Sequence, residues 1–404
     1  MSKSQHISPY WRYYDHEFDW EEPDHPLRPR PDYKQTHAQL VKAGLSDSYA
    51  SLLIQSGYFS VEGLPGVVID RYYGGLLASV DGRTRFRPEH LARPAQQLGY
   101  IPWVRPATSI ADLRNIVEQT RRRTSTPLLF RGQTKHFSIG RPVPNPYFVV
   151  PGIGETSLVP SIWRRMLNKR PTAHVSFTPP ILLEWSAMLL QDFDIEDIDR
   201  RVKRFADKGE YLFTYGDMED CPDPVLAEFG KFSLDLSTGH EVNLADKLAT
   251  CLQHYGLLSP VLDLTSSLDV ALFFSSHAFS RDLASCRYSF VGTNNRESVI
   301  YILQHSSTEM VQPNASDEFV LRRCRPLRPE RQECYVARSA PFALNLPGDF
   351  MVGIIRLDFD WTKYEGPEQS YLFPDASTDR FVNALRRMPL AAEYMTDFAS
   401  DGGQ

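Results

Sequence analysis

The sequence predicts an α+β protein, with mixed or antiparallel central sheets flanked by helices and a small α/β unit ahead of them. Three observations lead there. Segments with apolar residues at helical spacing recur along the chain, among them residues 36–56, 113–123, 179–206, 240–255 and 378–387. Short runs with strand composition lie between them, and three, residues 298–304, 333–337 and 351–357, come in succession near the end. Close to the start, Val67-Val68-Ile69-Asp70 and the stretch from Leu76 to Val80 flank Gly74-Gly75, which reads as a hairpin.

Residues 1–35 combine aromatics, prolines and both charges without periodicity, which suits an extended arm packed on the body through Trp11, Tyr13, Tyr14, Phe18 and Trp20. Residues 36–105 are the small unit, a helix followed by the hairpin. Ser109 and Asp112 have capping-box spacing and open a helix ending at Arg123, which leads into a strand carrying Phe130-Arg131-Gly132. Proline-rich connectors and the helical stretches 163–168 and 179–206 follow, the second with an acidic, solvent-facing middle. The helix 240–255 ends in His254-Tyr255, and Gly256 and Pro260 turn the chain into the strand ending at Thr265. Ser266 with Asp269 gives another capping-box start, for a helix that turns Leu268, Ala271, Leu272, Ala278 and Phe279 to the core. The turn Leu372-Phe373-Pro374-Asp375 precedes the last helix. The main domain spans 106–385, and 386–404 form a tail.

At 404 residues the chain is long enough for two domains, or for one large domain with an extension. A composition of 42% hydrophobic and 23% charged residues is that of a soluble globular protein. No apolar run reaches membrane-spanning length and the N-terminus has no signal-peptide core, so no membrane partner is expected and a cytoplasmic location is the default. The cysteines, Cys221, Cys251, Cys286, Cys324 and Cys334, are odd in number and widely spaced. They indicate neither a disulfide frame nor a zinc knuckle, and no metal or fixed cofactor is expected. A formal charge of −6 argues against whole-surface contact with nucleic acid. The run Arg322, Arg323, Arg325, Arg328, Arg331 reads first as a solvated face, and it is the one place for a phosphate-bearing partner to dock. No His-Glu-x-x-His, phosphate-binding glycine loop or Gly-x-Ser-x-Gly elbow is present, which removes several standard enzyme classes.

Polar residues gather at the junctions of apolar elements. Arg131, in an apolar strand beside Gly132, serves either an anionic group such as a phosphate or pyrophosphate, or a structural ion pair with Asp263 or Glu184. His254 and Tyr255 are acid/base or stacking groups, or else a cap and a core filler. Asp263 sits in an apolar strand and needs a partner, with a general-base role as the second use. Thr265, Ser266 and Ser267 cap a helix, and become ligands if that turn opens into a cleft. Gln332 and Glu333 would point to opposite faces of a strand, so only one can address a shared pocket.

Phe130-Arg131-Gly132, Leu252-Gln253-His254-Tyr255-Gly256, Leu262-Asp263-Leu264-Thr265, Ala271-Leu272-Phe273-Phe274 and the late Phe373-Pro374-Asp375, in this order and spacing, resemble the FRG domain family over about residues 106–385. Leu264 departs from the family, whose members often carry Trp there. The resemblance implies a bacterial or phage-type accessory protein.

The order of an arginine strand, a hydroxyl-rich strand end before a helix and a late strand with a carboxylate also resembles ADP-ribosyltransferases of the arginine, serine, glutamate kind. That resemblance implies an ADP-ribosyltransferase-like core with NAD as substrate and a protein as a target. Arg131 would hold the dinucleotide phosphates and Thr265 or Ser266 would order the pocket. Glu333 (or Gln332) would bind the nicotinamide ribose and support the cationic transition state. The expected catalytic set is Arg131, His254 and Glu333, and the expected binding set is Arg131, Gly132, Tyr255, Asp263, Thr265 and Ser266. Arg131, Tyr255, Thr265 and Glu333 must then converge on one cleft. The alternative is a non-enzymatic binding or sensor module in antiviral defence, and a nucleic-acid-directed role comes third.

Overall fold

The computed structural model describes residues 31–42, 44–61, 64–70, 76–79, 102–145, 148–161, 193–238, 251, 253–257, 261–281, 286–293, 296–305, 310–311, 326–338, 350–361, 363–387, 395 and 398. Trp11, Tyr13, Tyr14, Phe18 and Trp20 of the arm, Glu184, Cys324, and Arg322, Arg323 and Arg325 lie outside them, as do the helical stretches 163–168, 179–192 and 240–250.

The N-terminal unit comprises β1 (Pro31–Asp32), α1 (Tyr33–Lys42), α2 (Asp47–Gln55), β2 (Tyr58–Val61), β3 (Leu64–Asp70) and β4 (Leu76–Ser79). Its strands form one sheet in sequential order, all antiparallel. The single helix expected over 36–56 is two. Gly44 adopts φ +97°, a left-handed conformation that ends α1, and Ser46 caps α2 by accepting from the Tyr49 amide at 3.2 Å.

The main sheet holds seven strands in the order β13-β14-β9-β6-β12-β15-β5: β5 (Trp103–Ala107), β6 (Leu128–Gln133), β9 (Val261–Thr265), β12 (Val299–Gln304), β13 (Met310–Val311), β14 (Cys334–Arg338) and β15 (Met351–Leu357). Only β15 and β5 run parallel. Both faces are covered, which explains apolar runs such as Val299-Ile300-Tyr301-Ile302-Leu303. On one face α3 (Ile110–Arg121) and α7 (Leu268–Ser276) pack on Phe130, Ile300, Ile302 and Ile355. On the other, Val150 and Leu158 cover Leu129, Tyr301, Leu303 and Ile354. β7 (Val149–Val150) and β8 (Gly154–Glu155) form a small ribbon there. The seam between β6 and β9 positions the site. One residue pair, Phe130 opposite Thr265, joins them, whereas β6 pairs with β12 over its whole length.

Two helices not expected, α5 (Tyr215–Glu219) and α6 (Pro224–Thr238), follow α4 (Ile195–Ala206). A capping box between Thr214 and Asp217 starts the first, and Pro224 opens the second. The helix expected to run through Ala278 and Phe279 stops at Ser276. Its continuation is β10 (His277–Arg281), paired with β11 (Cys286–Phe290), and Phe279 there is about half exposed rather than in the core. The N-cap of α7 is Ser267, not Ser266. Short helices α8 (Leu327–Arg331), α9 (Gln369–Leu372) and α10 (Arg380–Arg386) complete the described elements. Arg328 on α8, expected on a solvated face, is fully buried, its guanidinium 4.4 Å from the Tyr255 ring centroid.

Half-buried His136 and buried His277 contribute to a pH dependence of stability. The His136 Nε2–H donates to the Glu155 carbonyl at 2.9 Å, so Nδ1 accepts from the Tyr301 hydroxyl at 2.9 Å. His277 Nδ1–H donates to the Phe273 carbonyl at 2.9 Å and its ring stacks on Phe273. Burial lowers both pKa values, against the opposing pull of those carbonyls. Each therefore contributes stability that is present above the unfolded value of about 6.5 and is lost as pH falls through the lower folded value. Urea unfolding should show lower stability at about pH 5.5 than at about pH 7.5. The fall should be smaller in a His136→Gln, His277→Gln double variant, and an equal fall in both proteins would remove these residues from the cause.

Candidate functional site

The sheet is open where β6 and β9 separate, and a cavity of about 330 Å³ occupies that seam. β6 contributes Phe130, Arg131 and Gly132, and β9 contributes Asp263, Leu264 and Thr265. Gln253, His254 and Gly256 enter from the end of the helical segment before β9, where Gly256 takes φ +88° to make the turn. An aromatic wall of Phe274, Phe279, Tyr288, Phe373 and Phe398 completes it with Val270 and Gln332. Tyr288 stacks on Phe373 with ring centroids 5.0 Å apart.

Gly132 shapes the cavity through the helix behind it. A Cβ at this position would overlap the Ala271 carbonyl, so glycine lets α7 lie directly on β6. Arg131 Nη1 donates to the backbone carbonyl of Asp263 at 2.7 Å, and its buried Nε has no hydrogen-bond partner among the described residues. Burial lowers the Arg131 pKa while Asp263 pulls it back up, and a guanidinium stays charged across the working pH range. The Asp263 side chain is 28% exposed, and its Oδ1 also lacks a hydrogen bond. The expected ion pair with Asp263 is therefore not formed, and Glu184, the other expected partner, lies outside the described residues. A cation and a carboxylate share one wall, linked through a backbone carbonyl, and each keeps an unmet atom.

His254 is fixed by a chain of bonds. Gln332 Nε2 donates to the Leu372 carbonyl at 3.0 Å, which leaves Gln332 Oε1 to accept from His254 Nδ1–H at 2.9 Å. The lone pair of His254 Nε2 then faces Cys334 Sγ at 2.7 Å, with Asp263 Oδ1 3.8 Å away. Burial lowers the His254 pKa, opposed by Asp263 and by the Gln332 bond, and burial together with Asp263 raises that of the Cys334 thiol well above its ordinary value. One ligand atom from each of His254, Asp263 and Cys334 lies within 4.8 Å of the others, a grouping able to hold a metal ion.

Of the residues expected to bind or react, Arg131, Gly132, His254, Asp263 and Thr265 line the cavity. Tyr255, Ser266 and Glu333 do not, so Arg131, Tyr255, Thr265 and Glu333 fail to converge on one cleft, as the ADP-ribosyltransferase layout required. Tyr255 is fully buried and donates its hydroxyl to Asp379, so it is a core group rather than a stacking platform. Burial, reinforced by Asp379, holds its pKa well above the usual phenol value. Glu333 is exposed, and its carboxylate accepts from the Ser266 hydroxyl at 3.0 Å. It lies in a turn with φ +44° ahead of β14, so the strand alternation assumed for Gln332 and Glu333 does not apply. Gln332 is the one that lines the cavity. Thr265 is internally engaged, donating to the Gln332 carbonyl at 2.8 Å and accepting from the Ser267 amide at 3.0 Å. Sequence reasoning missed Cys334, Tyr288 and Phe398. Only Cys334 carried a local signal, as the neighbour of Gln332-Glu333.

Among known families, the FRG domain model matches residues 197–282, the segment from α4 to β10. The chain is thus an FRG domain-containing protein, and the matched segment supplies His254, Asp263, Thr265 and Val270 to the cavity. Phe130-Arg131-Gly132 and Gln332 lie outside that segment. Comparison with curated proteins gives no match, and comparison with solved structures gives none. No helix of the described residues is long and apolar enough to cross a membrane.

Proposed function

We propose that this FRG domain-containing protein binds an anionic, ring-bearing small molecule of the nucleotide class in the β6–β9 cavity, with NAD as the first ligand to test. The unmet Nε of Arg131 carries the proposal. A buried donor without a partner costs about 1–3 kcal/mol, a cost a phosphate or carboxylate oxygen would relieve. The aromatic wall offers a face for a base or nicotinamide ring. A volume of about 330 Å³ is at the low end for ligand pockets, which suits one nucleotide half of a larger ligand.

For ADP-ribosyl transfer, the bond from the ribose to nicotinamide breaks with its electron pair leaving on nicotinamide, and a carboxylate stabilises the cationic sugar. A nucleophilic group of a target protein, or water where no target is present, forms the new bond to the ribose carbon and releases its proton to solvent. With Glu333 and Tyr255 off the cavity, the arginine, serine, glutamate layout is withdrawn, and the transfer proposed here rests instead on Asp263, the carboxylate on the cavity wall. On incubation with NAD, the parent protein and Glu333→Gln should both release nicotinamide. Asp263→Asn should lose roughly 100-fold or more of the rate. Loss of release in Glu333→Gln with full release in Asp263→Asn would overturn the assignment. The internal bonding of His254, Gln332 and Thr265 favours a second reading, a sensor that binds without turnover. Binding of NAD with no nicotinamide release would select it.

A further inference from the structure

We infer that His254, Asp263 and Cys334 form a site for one divalent metal ion, zinc by ligand chemistry, with a free coordination position toward the cavity. The geometry begins with strand register. Cys334 on β14 lies opposite Thr265 on β9, and Asp263, two residues along, shares its face. Both ligands are thus carried on adjacent, paired strands. His254 approaches from the preceding helical segment with its ring held by Gln332, which in turn is held by the Leu372 carbonyl. Such a support at the second ring nitrogen is what metal-binding histidines usually have.

The decisive feature is a shortage of donors. With Nδ1 protonated, His254 Nε2 is an acceptor, and Asp263 Oδ1 is another with no hydrogen bond. Cys334 S–H is the one donor between them, with Nε2 at 2.7 Å and the Tyr335 carbonyl at 3.3 Å as its acceptors. That pair leaves the carboxylate oxygen unmet, whereas a cation meets all three groups. On binding, the thiol proton leaves to solvent and the thiolate and carboxylate neutralise the two positive charges of the ion. A tetrahedral zinc with ordinary bond lengths separates sulfur and nitrogen ligands by roughly 3.6 Å, so Sγ would move out from its 2.7 Å contact by a small side-chain rotation. Three protein ligands with a fourth position open is the arrangement of zinc sites that activate water. A nucleophilic role for Cys334 is less suited to its position. The residue is 3% exposed and does not line the cavity, which a metal ligand tolerates and an attacking sulfur does not.

The site shares Asp263 with the nucleotide proposal but does not rest on it, and nucleotide-free protein tests it. Full-length protein stripped with a chelator and desalted should take up one equivalent of Zn²⁺ against a chromophoric chelator. With Co²⁺ it should develop the charge-transfer absorption of a cobalt–thiolate bond. Cys334→Ala should lose that absorption and weaken Zn²⁺ binding more than about 100-fold, and Gln332→Ala should keep the absorption and weaken binding about 10–100-fold. If Cys334→Ala does not fold, Asp263→Asn, at a partly exposed position, should weaken Zn²⁺ binding in its place. No uptake of Zn²⁺ or Co²⁺ by the parent, or equal uptake by parent and ligand variants, would overturn the site. Either result would leave Arg131-dependent nucleotide binding untouched.

Discussion

Arg141→Ala is expected to lower stability by about 3–5 kcal/mol, because it strands buried carboxylates. The Arg141 side chain is 3% exposed, and its guanidinium is shared between Asp70, at 2.6 and 2.9 Å, and Glu155, at 2.6 and 3.0 Å. Both carboxylates are buried, and Asn145 donates to each of them. The guanidinium lies over the Tyr58 ring, and Nη1 also donates to the Ser56 carbonyl at 3.0 Å. Burial alone would depress the Arg141 pKa, and the bonds to Asp70 and Glu155 reverse the shift. This cluster ties β3 of the N-terminal unit to β8 of the main body. Arg141→Lys should fall between parent and alanine, since an ammonium cannot hold two carboxylates with a planar fork. Urea unfolding measures both, and a loss under about 1 kcal/mol in the alanine variant would show that the cluster is not needed.

Gly132→Ala is expected to cost about 3 kcal/mol, the upper end for an added methyl in a packed core. The new Cβ meets the Ala271 carbonyl, which is helix backbone with no rotamer to change. Relief requires α7 to move off β6, and that displaces Val270 and Phe274 from the cavity wall. Stability and ligand binding should therefore fall together. Unchanged unfolding midpoints would mean that the helix can move at little cost.

The residues that were legible in the sequence are those whose neighbours along the chain define their problem. Arg131 and Asp263 are charges in apolar strands, and Gly132 beside Arg131 signals a close approach, so their joint placement at a seam follows from composition. Their unmet atoms did not follow, because those depend on which neighbour each declines. Tyr255 and Glu333 were misread for a geometric reason. Consecutive residues at a helix end point in different directions, and tertiary packing turned His254 to the cavity and Tyr255 to Asp379. Period-two reasoning needs a strand, and the left-handed turn at Glu333 precedes it. Cys334 looked incidental because its partners, His254 and Asp263, are brought to it only by the β9–β14 register. Arg328 looked solvated because nothing local announces three aromatic rings around a guanidinium.

The central claim is that Arg131 anchors an anionic, nucleotide-class ligand in the β6–β9 cavity. Calorimetric titration of NAD into the parent protein, Arg131→Ala and Arg131→Lys tests it directly. The parent should bind, Arg131→Ala should bind about 100-fold more weakly or not at all, and Arg131→Lys should be intermediate through loss of the two-pronged contact. Equal binding by Arg131→Ala and the parent, or no uptake of NAD, ADP-ribose or AMP by the parent, would contradict it.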